Sequence, residues 1–358
     1  MAGDLDPGSR VVLLGPDHPD SFANHIADAF VDRGISASVV DPAGRYSRPG
    51  TFRAYTRTRR LVTQAAKRLP AARAVLVDPP VEQALEAKAP QLVISVNGYF
   101  EPAQVERWRR HTPAAVWALW YPDTIVNLGR QSAFVAGYDH LFFKDPYLVD
   151  LLASRTSLPV HFLPEACSPS VHRSERPHDT AEQQRYRCDV AVAGNMYPYR
   201  RLVLHELPPD IDLKLYGNPP TGDERLMPSF TGRYVTCREK ALAFGEAAIV
   251  LNTMVFGEVR SVNARLFEAT ACGGFVLTHD APELDRYFVD GEEVVAFTSP
   301  SELRELIAHY LAAPDERRRI AAAGQARAHR DHTYERRLDE LIGVCGLAER
   351  LQLTSADR

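Results

Sequence analysis

The sequence predicts an α/β protein built from two doubly wound parallel sheets. Short β-branched and apolar runs alternate with amphipathic stretches along most of the chain, and this alternation is typical of parallel strands joined by right-handed crossovers. Most of the apolar runs are continuous, as expected of strands that are buried on both faces. With 358 residues, the chain also exceeds the ~250–300 residues at which one core stops growing, which favours two domains.

Eleven strands are predicted, six in the first half of the chain and five in the second. They lie at Val11–Gly15, Ser36–Asp41, Gln91–Asn97, Ala115–Trp120, Leu141–Lys144, Val160–Leu163, Asp189–Ala193, Leu213–Tyr216, Ala248–Asn252, Phe275–Thr278 and Val294–Phe297. Helices are predicted between them from their end signals. Ser21 caps a helix that stops at Gly34, and Ser301 opens one that reaches about Ala312.

A polar, turn-rich stretch from Pro164 to Arg185 separates the two halves. It predicts a Rossmann-like N-terminal domain over residues 1–166 and a Rossmann-like C-terminal domain over residues 167–331. A closing helix over residues 332–358 is expected to return to the first domain. Because ligands of such sheets bind outside the carboxyl ends of the strands, we expect a functional cleft where those ends face each other.

Composition excludes several classes of protein. Forty-two Lys+Arg against 46 Asp+Glu give a net charge of −4, whereas a general nucleic-acid binder carries a basic excess. The five cysteines are scattered and the 12 histidines show no paired ligand spacing, so neither a metal site nor a disulfide framework is predicted. With no signal-peptide pattern and no apolar run of ~18–20 residues, the expected location is cytoplasmic.

One basic stretch departs from this average. Residues 42–77 contain no acid but nine Arg or Lys, which lie between residues 45 and 73. A basic helix here would suit peripheral contact with an anionic membrane surface. It would equally suit an anionic acceptor, and a plain solvated surface helix is the third interpretation.

The segment Asn263–Asp280 carries the clearest chemical pattern. Arg265 and Glu268 lie three residues apart at the start of a predicted helix that ends at Gly273 and Gly274. A helix N-terminus and a bidentate arginine suit a diphosphate, and a glutamate accepts hydrogen bonds from ribose hydroxyls. The alternative is a structural Arg–Glu pair on an ordinary helix.

This segment resembles the nucleotide-sugar domain of glycosyltransferases. The resemblance rests on Phe-Glu-Ala-x-Ala-Cys-Gly-Gly at 267–274, Pro-Glu-Leu at 282–284, the strand and loop 188–195, and His-Thr-Tyr-Glu-Arg-Arg-Leu at 332–338. Over about residues 186–340 the chain is similar to the spore-maturation (CgeB-like) group of GT-B glycosyltransferases, which is related to the retaining family 4. The first half resembles the group more loosely.

The resemblance implies a GT-B architecture and a donor site in the C-terminal domain. Glu268 would bind the donor ribose, and Arg265 would face the diphosphate together with the loop of Gly194 and Asn195. Arg200 or Arg201 would be a second phosphate ligand. Asn263 would lie at the same site, at the start of the helix.

The resemblance also implies the kind of reaction. The donor would be a nucleotide-diphosphate sugar, a UDP- or dTDP-sugar, with no other cofactor and no metal, and the configuration at the transferred sugar would be retained. One feature departs from the family. Family 4 usually has Glu-x7-Glu, but Arg260 stands eight residues before Glu268, and the nearest acid is Glu258. Contacts to the donor sugar are therefore sought in the loop 256–263.

Two loops of the N-terminal half supply the candidate catalytic residues. His18 follows the first strand, where it would contact acceptor or phosphate, as would Asp17. Asp123 follows the strand that ends at Trp120, where it would orient a hydroxyl or, if the enzyme inverts configuration, act as a base. The alternatives are structural: a helix-capping turn around His18, and a turn that Asp123 starts after Pro122.

The predicted function is transfer of a sugar to an acceptor hydroxyl or amine of a small molecule, glycan or glycolipid. Two alternatives keep the same fold. One is a nucleotide-sugar-binding protein without transferase activity, and the other is a sugar-nucleotide 2-epimerase, which needs no acceptor.

Overall fold

The computed structural model describes residues 10–42, 79–96, 100–128 and 132–351. The chain divides into two compact units, one formed by Met1–Leu163 with Leu338–Arg358 and the other by Pro164–Arg337. The basic stretch 45–73 lies outside the described residues, so the interpretations of that stretch stay predictions. Within the described ranges, no helix is long and apolar enough to cross a membrane.

The first unit contains a six-stranded sheet with the order β2-β1-β3-β4-β5-β6, and every strand pair is parallel. Its strands are β1 Val11–Leu14, β2 Ala37–Val40, β3 Leu92–Ser95, β4 Val116–Tyr121, β5 His140–Phe143 and β6 Val160–Phe162. Its helices up to residue 163 are α1 Phe22–Asp32, α2 Pro79–Lys88, α3 Pro102–Arg109 and α4 Pro146–Ala153. All six predicted strands are confirmed to within two residues.

Burial explains why the strands of this sheet were readable as continuous runs. β1 and β3 are buried at every position, and both tryptophans of β4, Trp117 and Trp120, are fully buried.

The predicted cap of α1 is also present, because Ser21 Oγ accepts a hydrogen bond from the Asn24 backbone N–H at 3.1 Å. The sheet order reverses between β1 and β3, so the loops that follow these two strands diverge.

The second unit contains a five-stranded parallel sheet with the order β11-β10-β9-β7-β8. Its strands are β7 Cys188–Gly194, β8 Leu213–Gly217, β9 Ala247–Asn252, β10 Val276–His279 and β11 Val295–Phe297. Each lies within one residue of its predicted position. The order reverses between β7 and β9, and in doubly wound sheets such a reversal opens a ligand crevice at the carboxyl ends.

The helices of the second half follow the strand–helix rhythm. They are α5 Thr180–Tyr186, α6 Pro198–His205, α7 Cys237–Gly245, α8 Ala264–Ala271, α9 Pro300–Ala312, α10 Pro314–Asp331 and α11 Tyr334–Val344. The predicted start of α9 was wrong by two residues: Ser299, not Ser301, caps it and accepts from the Glu302 N–H at 3.3 Å. Pro300 explains the shift, since proline fits the first turn of a helix.

Candidate functional site

Two glycines bring the ends of β7 and β8 close together in the second unit. Gly194 and Gly217 pair across the sheet, and both have left-handed backbone conformations, with φ of +117° and +119°. A Cβ at Gly217 would overlap the carbonyl oxygen of Gly194. Because only glycine adopts such a φ easily and leaves this space open, the loop that follows β7 begins in a form that other residues disfavour.

Arg265, the second residue of α8, reaches the same point. A Cβ at Gly194 would overlap Arg265 Nη2 and lie 3.2 Å from Arg200 Nη1. The Arg265 side chain is half-buried, and among the described residues its guanidinium has no hydrogen-bond or ion-pair partner. Sequence reasoning assigned Arg200, Arg265 and the loop that contains Gly194 to one site. The structure places these three parts side by side.

Arg200 is held in place by neutral groups. It is buried at 3% exposure, and its Nε donates to Thr253 Oγ1 at 2.7 Å while its Nη1 donates to the backbone oxygen of Asn195. Thr253 follows β9, so the side chain bridges the two strands between which the sheet order reverses. These contacts fix the guanidinium without neutralising its charge.

The positive charges of the two guanidinium groups lie close enough to repel each other. Burial, and then the nearby charge of Arg265, lower the pKa of Arg200 to about 9. Burial also lowers the pKa of Arg265, although the carboxylate of Glu268 opposes that change. Both groups are cationic at neutral pH, so an anion bound between them would relieve their repulsion.

The adjacent Arg201 has a different environment. Its Nε donates to the carbonyl oxygen of Met196 and its Nη1 to that of Thr221, both at 2.9 Å. Of the two arginines that the sequence could not separate, Arg200 is thus the one beside Gly194 and Arg265. The side chain of Asn195 is also engaged, because its Nδ2 donates to Tyr197 Oη at 3.0 Å.

The N-terminus of α8 adds to this positive region. Asn263 caps the helix, with its Oδ1 accepting from the Leu266 N–H at 3.3 Å. The free N–H groups of a first turn carry partial positive charge that favours anions. Arg265 belongs to this turn, so the partial positive charge of the helix end adds to the charge of its guanidinium.

Glu268 lies one turn further along α8 and faces a buried lysine. Its Oε2 accepts from Lys240 Nζ at 3.1 Å, and its Oε1 lies 3.8 Å from His172 Nε2. The side chain of Glu268 is 16% exposed. Lys240 and His172 were not found from the sequence, because no local motif links them to Glu268.

The residue at the place of the first family-4 glutamate is ion-paired. Arg260 contacts the buried carboxylate of Glu283, which also pairs with Arg286. Glu258 instead accepts from Ser261 Oγ at 2.5 Å. Position 260 of the loop 256–263 therefore holds an arginine that pairs with Glu283, and the nearest carboxylate of the loop, Glu258, is hydrogen-bonded to Ser261.

In the first unit, His18 and Asp123 lie in turns at the carboxyl ends of strands. The His18 carbonyl accepts from the Ser21 N–H at 2.9 Å. Asp123 is exposed, and its Oδ1 accepts from the Thr124 N–H at 2.7 Å and from Asn127 Nδ2 at 3.0 Å. Both turns match the structural alternatives, and the catalytic roles of the two residues stay predictions.

Sequence reasoning missed one buried histidine–aspartate pair in the first unit. His25 Nε2 lies 3.0 Å from Asp20 Oδ1, and both side chains are almost completely buried. Asp20 comes just before α1 and His25 lies in its first turn. A five-residue spacing across a helix start is not a recognisable motif, so only the fold shows this contact.

Comparison with known proteins agrees with the architecture. Residues 184–343 match the model of a family described as glycosyl transferase-like. Three solved structures align over nearly their whole length. Sucrose-phosphate synthase from Thermosynechococcus elongatus is 12% identical, with a TM-score of 0.61 over 95% of this chain and 98% of the other. HepE from Anabaena, in complex with UDP-glucose, is 11% identical, with a TM-score of 0.63 over 93% and 99%.

The third structure is AviGT4, a glycosyltransferase involved in avilamycin A biosynthesis. It is 16% identical, with a TM-score of 0.55 over 94% of this chain and 97% of the other. No curated protein matches the sequence. Residues 184–343 thus form a glycosyl transferase-like domain, the chain has the GT-B fold, and its enzyme class is glycosyltransferase.

Proposed function

We propose that this glycosyltransferase transfers a sugar from a UDP-sugar to an acceptor hydroxyl or amine, without a metal and with retention of configuration. The observation that carries the proposal is the pair Arg200 and Arg265 beside Gly194, two neighbouring cations whose pKa values are both lowered by burial. Charges of this kind are unfavourable unless an anion joins them. A nucleoside diphosphate has the charge and the size to do so.

The same arrangement suits the chemical step. When the bond between the sugar and the diphosphate breaks, negative charge builds up on the departing phosphate oxygen. Arg265 offers a bidentate guanidinium there, Arg200 a second one that its bonds to Thr253 and Asn195 already orient, and α8 the N–H groups of its first turn. Preorganised charge stabilises a transition state without reorganisation during the reaction.

UDP is proposed as the nucleotide for two reasons. HepE, which shares the fold, is bound to UDP-glucose in one structure and to UDP in another. In addition, Glu268 lies one turn after Arg265 on the same helix, which suits a ribose that follows a diphosphate. A dTDP-sugar is the other donor to test.

Retention of configuration is proposed from the resemblance to family 4.

One observation favours a second candidate, a nucleotide-sugar-binding protein without transferase activity. Arg260 replaces the first glutamate of the family pattern, and its ion pair with Glu283 leaves no free carboxylate at that position.

A binding panel and a turnover assay separate these candidates. Binding is tested by thermal shift with UDP, dTDP, GDP and ADP and with their glucose conjugates. A ligand that binds only the folded state raises the midpoint of thermal unfolding by mass action. We expect UDP and UDP-glucose to give the largest shift, and release of UDP once an acceptor is present. Binding without release by any donor would favour the binding protein. No shift with any nucleotide would contradict the donor site.

A further inference from the structure

His279 is the last residue of β10, and its ring supports the chain at the point where β9 ends. The backbone pairing of the two strands runs as far as Asn252 and Thr278. Beyond that pair, the N–H of Met254 donates to Nδ1 of His279 at 3.1 Å. A side chain of β10 therefore takes the place of the next backbone partner, and it holds residues that have just left the sheet.

The same contact fixes the state of the imidazole. A backbone N–H only donates, so Nδ1 is the unprotonated nitrogen and the neutral ring carries its proton on Nε2. Burial lowers the pKa of His279 from 6.5 to about 4, so Nδ1 stays an acceptor at physiological pH. The ring also lies against Phe297 and Tyr199, with centroid separations of 4.3 and 6.1 Å. Packing and hydrogen bonding together restrict its orientation.

The segment that His279 holds carries an acceptor for Arg200. Thr253 is 1% exposed, and its Oγ1 accepts from Arg200 Nε at 2.7 Å. Both chain neighbours of Thr253 are bonded to β10, Asn252 through its side chain at 3.2 Å and Met254 through its N–H. The position of the Thr253 hydroxyl therefore depends on these two bonds to β10.

Arg200 needs this support because it lies beside a second cation. After burial, the charge of Arg265 is the next cause that lowers the pKa of Arg200, so the two guanidinium groups repel each other. The hydrogen bonds that hold Arg200 go to two neutral acceptors, Thr253 Oγ1 and the carbonyl oxygen of Asn195. A shift of the Thr253 hydroxyl would let the guanidinium turn away from Arg265, and a phosphate between the two would lose its geometry with one of them.

We propose that His279 is a positioning residue for Arg200 and thereby for the donor diphosphate. By holding Met254 it places Thr253, whose hydroxyl sets the direction of the guanidinium. This inference rests on the proposed function, in which Arg200 binds the diphosphate. His279 also reaches the helix of Arg200 itself, because Tyr199, whose ring it contacts, is the preceding residue of α6.

The test is the ratio of the affinities for UDP and for uridine, which reports the contribution of the diphosphate. Both affinities are measured by calorimetry for wild type and for three variants of His279. His279→Leu keeps an apolar side chain but loses both ring nitrogens. In His279→Asn the amide oxygen replaces Nδ1 as the acceptor for Met254, whereas in His279→Gln the amide nitrogen replaces Nε2 as a donor.

We expect His279→Leu to lower the UDP-to-uridine ratio by about three- to tenfold, the scale of one hydrogen bond. His279→Asn should recover most of this loss, and His279→Gln should not. Thr253→Val, which removes the hydroxyl, should lower the ratio at least as much as His279→Leu. In an Arg200→Met background, His279→Leu should cause no further loss, because both residues act on the same contact.

His332→Leu is the matched control for a purely structural loss. His332 is also a buried ring of the second unit, but its Nε2 bonds to the carbonyl oxygen of Tyr287 rather than to the segment 252–254. Its loss should lower the thermal midpoint and leave the UDP-to-uridine ratio within about twofold of wild type. The thermal midpoint of each His279 variant, measured without nucleotide, shows whether that variant is folded.

The outcomes separate the inference from the function on which it rests. A folded His279→Leu with the wild-type ratio would show that the positioning role is wrong while the proposed function stands. Recovery by His279→Gln instead of His279→Asn would mean that Nε2 contacts the ligand directly, which also contradicts the positioning role. If His279→Leu does not fold, the Asn and Gln variants decide between these two roles. If wild type binds UDP no better than uridine, the proposed diphosphate site fails first, and the inference fails with it.

Discussion

The guanidinium of Arg265 lies against Gly194 so closely that a Cβ at residue 194 would overlap Nη2. Residue 194 ends β7, whereas Arg265 belongs to α8. A glycine with φ of +117° therefore makes room for a cation from another element. The contact makes the backbone of one loop and the charge of one helix parts of a single site.

Gly194→Ala should displace Arg265 and weaken UDP binding by about tenfold or more, the usual effect of losing a hydrogen bond to a charged group. Gly291→Ala is the matched control, because Gly291 also has a positive φ, +74°, but a Cβ there meets nothing within 4 Å. Both variants carry the strain of a positive φ, and only the first should lose affinity in calorimetry. Equal affinities would show that the Arg265–Gly194 contact does not support binding.

Arg265→Met and Arg200→Met should each weaken binding of UDP by about ten- to a hundredfold, because each removes a charged donor to the diphosphate. Binding of uridine, which has no phosphate, should change little. Arg304→Met is the control, since Arg304 is a surface residue of the same unit that pairs with Glu206. A loss of uridine binding equal to that of UDP would contradict the assignment to the diphosphate.

Arg201→Met should behave differently from Arg200→Met. The Arg201 guanidinium donates to the carbonyl oxygens of Met196 and Thr221, so its loss should lower the thermal midpoint while leaving the affinity for UDP within about threefold of wild type. Thermal unfolding and calorimetry on the same samples measure both effects. A large loss of affinity with an unchanged midpoint would place Arg201, rather than Arg200, on the phosphate.

The strands and the donor-side helix are predictable from the sequence because their signals are local. Buried parallel strands are continuous apolar runs, and Asn263, Arg265 and Glu268 lie within one short segment that spans the start of α8. Arg200 and Arg201 are not separable in this way, since consecutive residues of a helix point about 100° apart and only packing decides which one faces the site. Lys240 approaches Glu268 from 28 residues away along the chain, and such a contact leaves no local pattern.

His18→Ala and Asp123→Ala test the predicted catalytic roles of the first unit. If His18 or Asp123 acts on the acceptor or the transferred sugar, its loss should lower kcat by about a hundredfold, the scale of general acid–base catalysis, with UDP binding unchanged. Asp123→Asn is the sharper variant, because the amide oxygen can still accept from Thr124 and Asn127 while the base is lost. Full activity of Asp123→Asn would assign that carboxylate to the turn alone.

The stability of the chain should fall with acidity partly through His332. Burial lowers the pKa of His332 from 6.5 to about 4, and the ring is 4% exposed, with its Nε2 donating to the carbonyl oxygen of Tyr287 at 2.7 Å. Since the unfolded chain takes up the proton near pH 6.5, the stabilisation by the neutral ring is complete above that pH and is lost as the pH falls toward 4.

Between pH 7.5 and pH 5, His332 should account for a loss of about 2 kcal/mol in the free energy of unfolding. His332→Asn should be less stable than wild type at pH 7.5, because the ring's packing is lost, but the difference between them should shrink at pH 5. Urea unfolding of both proteins at the two pH values measures this, and other groups cancel in the comparison because both chains carry them. A constant difference across the range would mean that His332 is protonated equally in the folded and unfolded chains, which its burial opposes.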